Sequence, residues 1–309
     1  MKSRRGVYFA TTLSLVAVLA DLGFNPLRHP ATTAQAPTWV VFETHELVRL
    51  LVAPGVSPSH VDEIRMGIGG FNTFARETLQ KPLTRLARFH VFPNAESRLP
   101  VMRQLLNVPE ERLRAILGID LLSNPKGCTD CSRPDGTIWL RLDWDCLQQQ
   151  PRPTFCSIAF VSAHALTHMW QFGHNSSGRE PQWLQEGVAD YVGYRTADVI
   201  GQIPWNQAIE RMRAIVARSP VPIPRSLDAF GMNFESAQRL FYPWEVRSRG
   251  AGYSLFALLT NQLVEAQGIQ ALTAYYDALG SSPSWVDSFQ RAFKVSPQDA
   301  YQTLLRSLP

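Results

Sequence analysis

Two pairs of potential metal ligands lie in one short stretch of the chain, and the members of each pair are four residues apart. His164 and His168 form the first pair, and Glu186 and Asp190 form the second. Four helical residues advance by about 400°, so each pair lies on one face of its helix. The spacing therefore predicts two helices, one presenting imidazoles and the other presenting carboxylates.

This set of residues is typical of a zinc site with three protein ligands and one open coordination position. His164, His168 and Glu186 would be the ligands, and a carboxylate at Asp190 would orient a ligand histidine. Hydrolytic sites of this type carry a glutamate directly after the first histidine, where it is the general base. This chain carries Ala165 at that position. The sequence thus predicts a zinc site whose usual catalytic base is missing.

The motif HALTH followed by PQWLQEGVADYV resembles the gluzincin metallopeptidases, whose pattern is H-E-x-x-H and then E-x-x-x-D. The phrases HMWQ and LQEGVADYVGYR also resemble the basic secretory protein-like, peptidase MA-like branch of that group. The resemblance implies His164, His168 and Glu186 as zinc ligands and Asp190 as the carboxylate behind a histidine. It also implies a small sheet above the zinc helix and a helical lobe below it.

Gluzincins stabilise the oxyanion with a tyrosine or histidine from the helical lobe, which the resemblance places in the second half of this chain. Tyr253 is the candidate here, with Arg249 and Tyr242 as alternatives. Glu180 is a second possible source of a base, although it lies outside the predicted helix. Tyr253 packed in the core is the competing interpretation.

The N-terminus predicts export. Three basic residues precede an apolar run from Val7 to Ala20, which is short for a membrane span and suits a signal peptide. We expect cleavage after Ala20 or at a later alanine, and an uncleaved anchor is the alternative. Residues 21–36 are rich in Pro, Thr and Ala and predict a linker.

The formal charge of +4 falls to +1 once the signal peptide is removed. The chain has no run of Lys or Arg, so the charge pattern does not favour nucleic-acid binding. The gluzincin resemblance implies a peptide or protein as substrate or ligand, and the N-terminal pattern predicts no membrane span once the signal peptide is removed.

Four cysteines precede the histidine helix: Cys128, Cys131, Cys146 and Cys156. An even number of cysteines in an exported chain predicts two disulfides, with three possible connectivities. A four-thiolate zinc site and a redox pair are the alternatives, since Cys128 and Cys131 have C-x-x-C spacing.

Hydrophobic periodicity predicts a mainly helical α+β fold, with an N-terminal α/β part over residues 37–156 and a helical part over 157–309. Strands are predicted at residues 39–42, 86–92 and 137–142. Helices are predicted at residues 62–79, 109–117, 157–172, from 181, 205–216, 253–265, 269–279, 285–293 and 297–308.

The sequence as a whole predicts an exported zinc metallopeptidase-like protein whose peptide hydrolysis is severely weakened by Ala165. A non-catalytic pseudo-peptidase that binds peptides or proteins is the second function class. A helical structural protein without metal is the third. Whether Ala165 is natural or replaces a glutamate is open at this point.

Overall fold

Alternating apolar residues build a five-stranded sheet in the N-terminal part. The structure, a computed structural model, describes residues 40–45, 47–94, 97, 130–132, 136–143, 147, 156–174 and 180–308. The predicted signal peptide, linker and helix 109–117 lie outside these residues. The strands are β1 (Val40–His45), β2 (Val48–Val52), β3 (Ala87–Phe92), β4 (Asp130–Ser132) and β5 (Thr137–Arg141).

The strands follow the order β1-β2-β3-β5-β4 across the sheet. The central pairs β2–β3 and β3–β5 are parallel, whereas the outer pairs β1–β2 and β4–β5 are antiparallel. The predicted strands at 39–42, 86–92 and 137–142 are confirmed, and β2 is an additional strand. Val48, Leu50 and Val52 of β2 are buried, so this strand contributes every second side chain to the core.

Nine α-helices are described in the covered ranges, and most of them follow the sheet. They are α1 (Pro58–Thr73), α2 (Ile158–His174), α3 (Gln182–Val199), α4 (Trp205–Ala217), α5 (Phe234–Ser248), α6 (Ala251–Gln267), α7 (Gln270–Ser281), α8 (Trp285–Phe293) and α9 (Pro297–Ser307). The predicted helices after residue 156 are confirmed to within two residues at each end. Helix α5 was not predicted. The mainly helical α+β class is as expected.

Side-chain caps fix where two of the C-terminal elements begin. Ser296 accepts a hydrogen bond from the backbone N–H of Asp299 at 3.1 Å, which caps α9. Ser226 accepts one from Asp228 at 3.2 Å, which caps a short 3₁₀ turn over Leu227–Phe230. Each serine thus satisfies a backbone N–H that has no partner inside its own helix.

One continuous hydrophobic core links the sheet to the helices, from Val48 on β2 to Leu304 on α9. Helix α1 packs on α2, α2 packs on α3, and α3 packs on α6. The two helices that carry the predicted ligands are therefore held between other helices, and their positions are set by core packing.

Cys156 lies at the end of the N-terminal part, is buried, and is disulfide-bonded. Cys131 lies on β4, whereas Cys128 and Cys146 lie outside the described residues. The pairing of the four cysteines stays a prediction. In the part of the chain that the structure describes, no helix is both long enough and apolar enough to cross a membrane.

Gly187 allows helices α3 and α6 to approach closely. A Cβ atom at this position would lie 2.6 Å from Cβ of Phe256 and 2.7 Å from its backbone carbonyl oxygen. Backbone atoms cannot move aside as a flexible side chain can, so even one methyl group forces the helices apart.

We expect Gly187→Ala to lower the free energy of unfolding by about 1–3 kcal/mol, because overpacking outweighs the better helix propensity of alanine. Gly69→Ala, in α1, is the matched control. No atom lies within 4 Å of a Cβ at that position, so the same substitution should be neutral or stabilise by up to about 1 kcal/mol. Urea unfolding of both variants measures the difference, and equal shifts would contradict the packing argument.

Candidate metal centre

The four predicted site residues come together between helices α2 and α3. His164 and His168 lie one turn apart on α2, and Glu186 and Asp190 lie one turn apart on the facing side of α3. Each of the four is buried, with an exposed fraction of 8% or less. Buried ionisable groups are costly unless they are paired or bind a metal, so their convergence needs an explanation.

Three atoms converge at one point. The distance from Nε2 of His164 to Nε2 of His168 is 3.0 Å. The Oε2 atom of Glu186 lies 3.3 Å from the first nitrogen and 3.4 Å from the second. These three residues form a group that could hold a metal ion, with one ligand atom from each. The structure thus brings the predicted ligands to a common point.

The outer nitrogens of both imidazoles face acceptors. Nδ1 of His164 lies 2.8 Å from Oδ1 of Asp190, and Nδ1 of His168 lies 2.8 Å from Oε1 of Gln171. A carboxylate and an amide oxygen both accept, so each imidazole carries its hydrogen on Nδ1. Each histidine therefore turns a lone pair on Nε2 toward the common point.

The two oxygens of Glu186 have separate partners. Oε1 accepts hydrogen bonds from Nε2 of Gln182 at 2.6 Å and from the hydroxyl of Tyr242 at 3.2 Å. Oε2 faces the two histidines. The donors on Oε1 fix the orientation of the carboxylate, so that Oε2 points steadily at the position between the imidazoles.

Three acceptors converging at 3.0–3.4 Å repel one another unless a positive charge lies between them. Burial by itself raises the pKa of Glu186. When the two histidines are protonated and no metal is bound, the charge of His168 and the hydrogen bonds with both histidines outweigh burial, and the pKa of Glu186 lies well below its ordinary value. A metal cation at the same point would favour the ionised carboxylate in the same way. Since two imidazoles and a carboxylate are a common ligand set for divalent first-row metals, the geometry fits a metal ion.

Ala165 is completely buried and belongs to the hydrophobic core. Its methyl group can neither accept nor donate a proton. Asp190 is placed behind His164 as the sequence predicted.

The three candidates for an oxyanion stabiliser occupy different positions. Tyr242, on α5, donates directly to Glu186. Tyr253, on the first turn of α6, is partly buried; burial and then the charge of Glu186 raise the pKa of its hydroxyl well above the ordinary value. Arg249 is exposed and ends α5 in a left-handed conformation with φ 57°. The structure thus places both tyrosines near the site.

Glu180 is buried, with 1% of its surface exposed, directly before α3. The hydroxyl of Tyr275 donates to its Oε2 at 3.1 Å. Burial raises the pKa of Glu180 to about 8, and hydrogen bonds with Tyr275, Tyr276 and Gln185 oppose this rise. The contacts lie on the Nδ1 side of His168, so Glu180 is not at the point where the ligand atoms converge.

The sequence analysis does not predict Gln171 and Gln182, whose side chains hydrogen-bond with His168 and Glu186. Each is one helical turn from its partner, at spacings of three and four residues, and this spacing was a usable signal. The third histidine of α2, His174, is the last residue of the helix. Its Nε2 lies 3.4 Å from the carbonyl oxygen of Pro82, and it is not part of the metal group.

Residues 125–207 match the BSP family, described as "Peptidase of plants and bacteria". The matched segment contains both histidines, Glu186 and Asp190, and it therefore supports a peptidase-like family for this part of the chain. The match covers less than half of the 309 residues. No curated protein shows a significant match to the chain.

Proposed function

We propose that this chain is an exported, zinc-binding protein of the gluzincin peptidase type. The spacing of the three inner atoms supports it best. Tetrahedral zinc with bonds of about 2.0–2.1 Å requires its ligand atoms to be about 3.3 Å apart. The separations here are 3.0, 3.3 and 3.4 Å. His164, His168 and Glu186 are therefore spaced as zinc ligands.

Zinc bound there would supply a Lewis acid and lower the pKa of its bound water toward about 7. The chain itself provides the orientation of the ligands through Asp190, Gln171 and Gln182. Tyr253 provides a hydroxyl group for a carbonyl oxygen that gains negative charge, whereas the hydroxyl hydrogen of Tyr242 is donated to Glu186. Peptides and proteins are the substrates or ligands that this reaction class takes.

The general base is the missing part of this machinery. A positioned base contributes about 10²–10⁴-fold to such a reaction. Ala165 cannot take a proton, and Glu180 is engaged with Tyr275 and Tyr276 on the outer side of His168. We therefore expect peptide hydrolysis to be weakened by about that factor.

The buried methyl group of Ala165 also favours a second function, that of a zinc-containing pseudo-peptidase that binds peptides or proteins without cleaving them. Both functions need the metal, and a helical structural protein does not. Metal content thus separates the structural class from the other two, and an activity measurement separates the enzyme from the binding module.

We expect the purified protein to hold about one zinc per chain and the His168→Ala variant to hold none, since two remaining ligands cannot retain the ion. His174→Ala is the matched control, because His174 lies on the same helix and outside the metal group. Elemental analysis after dialysis against metal-free buffer makes the measurement. A His168→Ala protein with its full zinc content would refute the assignment.

A further inference from the structure

Gln171 connects the candidate metal centre on α2 to helices α3 and α7 through three hydrogen bonds. Its Oε1 lies 2.8 Å from Nδ1 of His168. Its Nε2 donates to the backbone carbonyl of Gln185 at 3.0 Å and to the hydroxyl oxygen of Tyr276 at 2.7 Å. Only 2% of the Gln171 surface is exposed, so water does not compete for these bonds.

The contact with Gln185 fixes which way the amide of Gln171 points. A backbone carbonyl can only accept a hydrogen bond, so it must face the NH₂ group and never the oxygen. Reversing the amide would place two acceptors against each other in a buried site, which is costly. Oε1 therefore faces His168, which in turn must carry its hydrogen on Nδ1.

The direction of the hydrogen bonds can be followed from Gln171 through Tyr276 to Glu180. The second hydrogen on Nε2 of Gln171 goes to the oxygen of Tyr276, which leaves the hydroxyl hydrogen of Tyr276 to be donated elsewhere. Glu180 is its hydrogen-bonding partner. A carboxyl group keeps an accepting oxygen in either protonation state. Glu180, Tyr276 and Gln171 thus form a chain of hydrogen bonds with a single direction, ending at His168.

The two histidines differ in what stands behind them. His164 has the carboxylate of Asp190, whereas His168 has the neutral amide of Gln171. A buried centre with a divalent cation, Glu186 and Asp190 has a total charge of zero, because the amide adds none. A third carboxylate at position 171 would leave a buried negative charge and would also face the carbonyl of Gln185.

We propose that Gln171 is the positioning residue of His168, and that Tyr276, held by Glu180, fixes the direction in which Gln171 presents its amide oxygen. The proposal rests on the proposed function, because it assigns a role toward the metal ion. It places the control of one metal ligand partly on α7, more than a hundred residues along the chain from His168.

The test measures zinc affinity by competition with a chelator, together with the visible absorption spectrum of the cobalt-substituted protein. Gln171→Met keeps the size of the side chain and removes its polar atoms. We expect it to weaken zinc binding by about 10- to 100-fold and to change the cobalt spectrum. A purely structural glutamine would lower thermal stability and leave the spectrum of the folded variant unchanged.

Tyr276→Phe and Tyr275→Phe are a matched pair on one helix. Both rings are fully buried and both hydroxyls interact with Glu180, but only that of Tyr276 contacts Gln171. We expect Tyr276→Phe to weaken zinc binding several-fold and Tyr275→Phe to leave it within about twofold of the parent.

The possible results distinguish a failure of the proposed function from a failure of the role proposed for Gln171. A parent protein that takes up no zinc overturns the proposed function and this proposal together. A parent that binds zinc, with an equal affinity and an unchanged cobalt spectrum in Gln171→Met, overturns this proposal alone. Equal losses in the two tyrosine variants overturn the role of Tyr276.

Discussion

The Ala165→Glu variant should hydrolyse a generic protein or peptide substrate about 10²-fold faster than the parent, or more, with unchanged zinc content. Position 165 is about 100° around the helix from His164, from where a glutamate can approach the open zinc position. The three proposed ligands and Asp190 lie together in the structure, so the proposed function lacks only the base. Rates with and without a chelator provide the measurement.

Ala165→Gln is the control for this variant. It introduces the same bulk at a position with no exposed surface, so both variants should lose a similar amount of stability, about 1–3 kcal/mol. Only the glutamate can accept a proton. A folded, zinc-containing Ala165→Glu protein that is no more active than Ala165→Gln would show that the binding-module function is the better proposal.

We expect the free energy of unfolding to fall as the pH rises, because Glu180 is protonated in the folded chain. Its pKa is about 8 in the folded chain and about 4.5 when unfolded, so between these values the native state binds a proton that the unfolded state does not. The stabilisation is complete below pH 4.5 and is lost as the pH rises through 8. The expected slope is about 1.4 kcal/mol per pH unit.

The comparison of the parent with Glu180→Gln isolates this contribution, because the amide does not titrate and still accepts from Tyr275. Urea unfolding at several pH values should give a curve for the variant that lacks the decline due to Glu180. The groups that face Glu180 are Tyr275, Tyr276 and Gln185, and neither tyrosine titrates in this range. Parallel curves for the two proteins would contradict the assignment.

The metal group could be predicted from the sequence because its spacing is local. His164 with His168 and Glu186 with Asp190 are each one helical turn apart, and a helix converts that spacing into a shared face. The roles of Gln171 and Glu180 could not be predicted in this way. Sequence alone predicts that a glutamine on a helix and a glutamate in a loop are exposed. Both are buried here because α7 packs against them, and the local pattern does not indicate that long-range contact.

Helix α5 is an element of the fold that the sequence did not predict. Pro243 lies inside it, and proline in a helical pattern usually marks an end, so the local sequence does not favour a continuous helix here. Strand β2 was not predicted, and its sequence VRLLV interrupts the alternation of apolar and polar residues at Leu51. The capping box in which Asn233 and Ser236 bond each other's backbone was the available signal for the start of α5.

The two helices that contribute hydroxyl and carboxylate groups to the site differ in stiffness. Gly187 lets α3 pack directly against the backbone of α6, so the helix that carries Glu186 has little room to move. Helix α5 lacks one backbone hydrogen bond at Pro243, and its Val246 side chain is 65% exposed. On the proposed function, a peptide at this centre would contact α3, which is held by close packing, and α5, which lacks one internal hydrogen bond. We therefore expect any adjustment to the shape of the peptide to occur in α5, the helix that carries Tyr242.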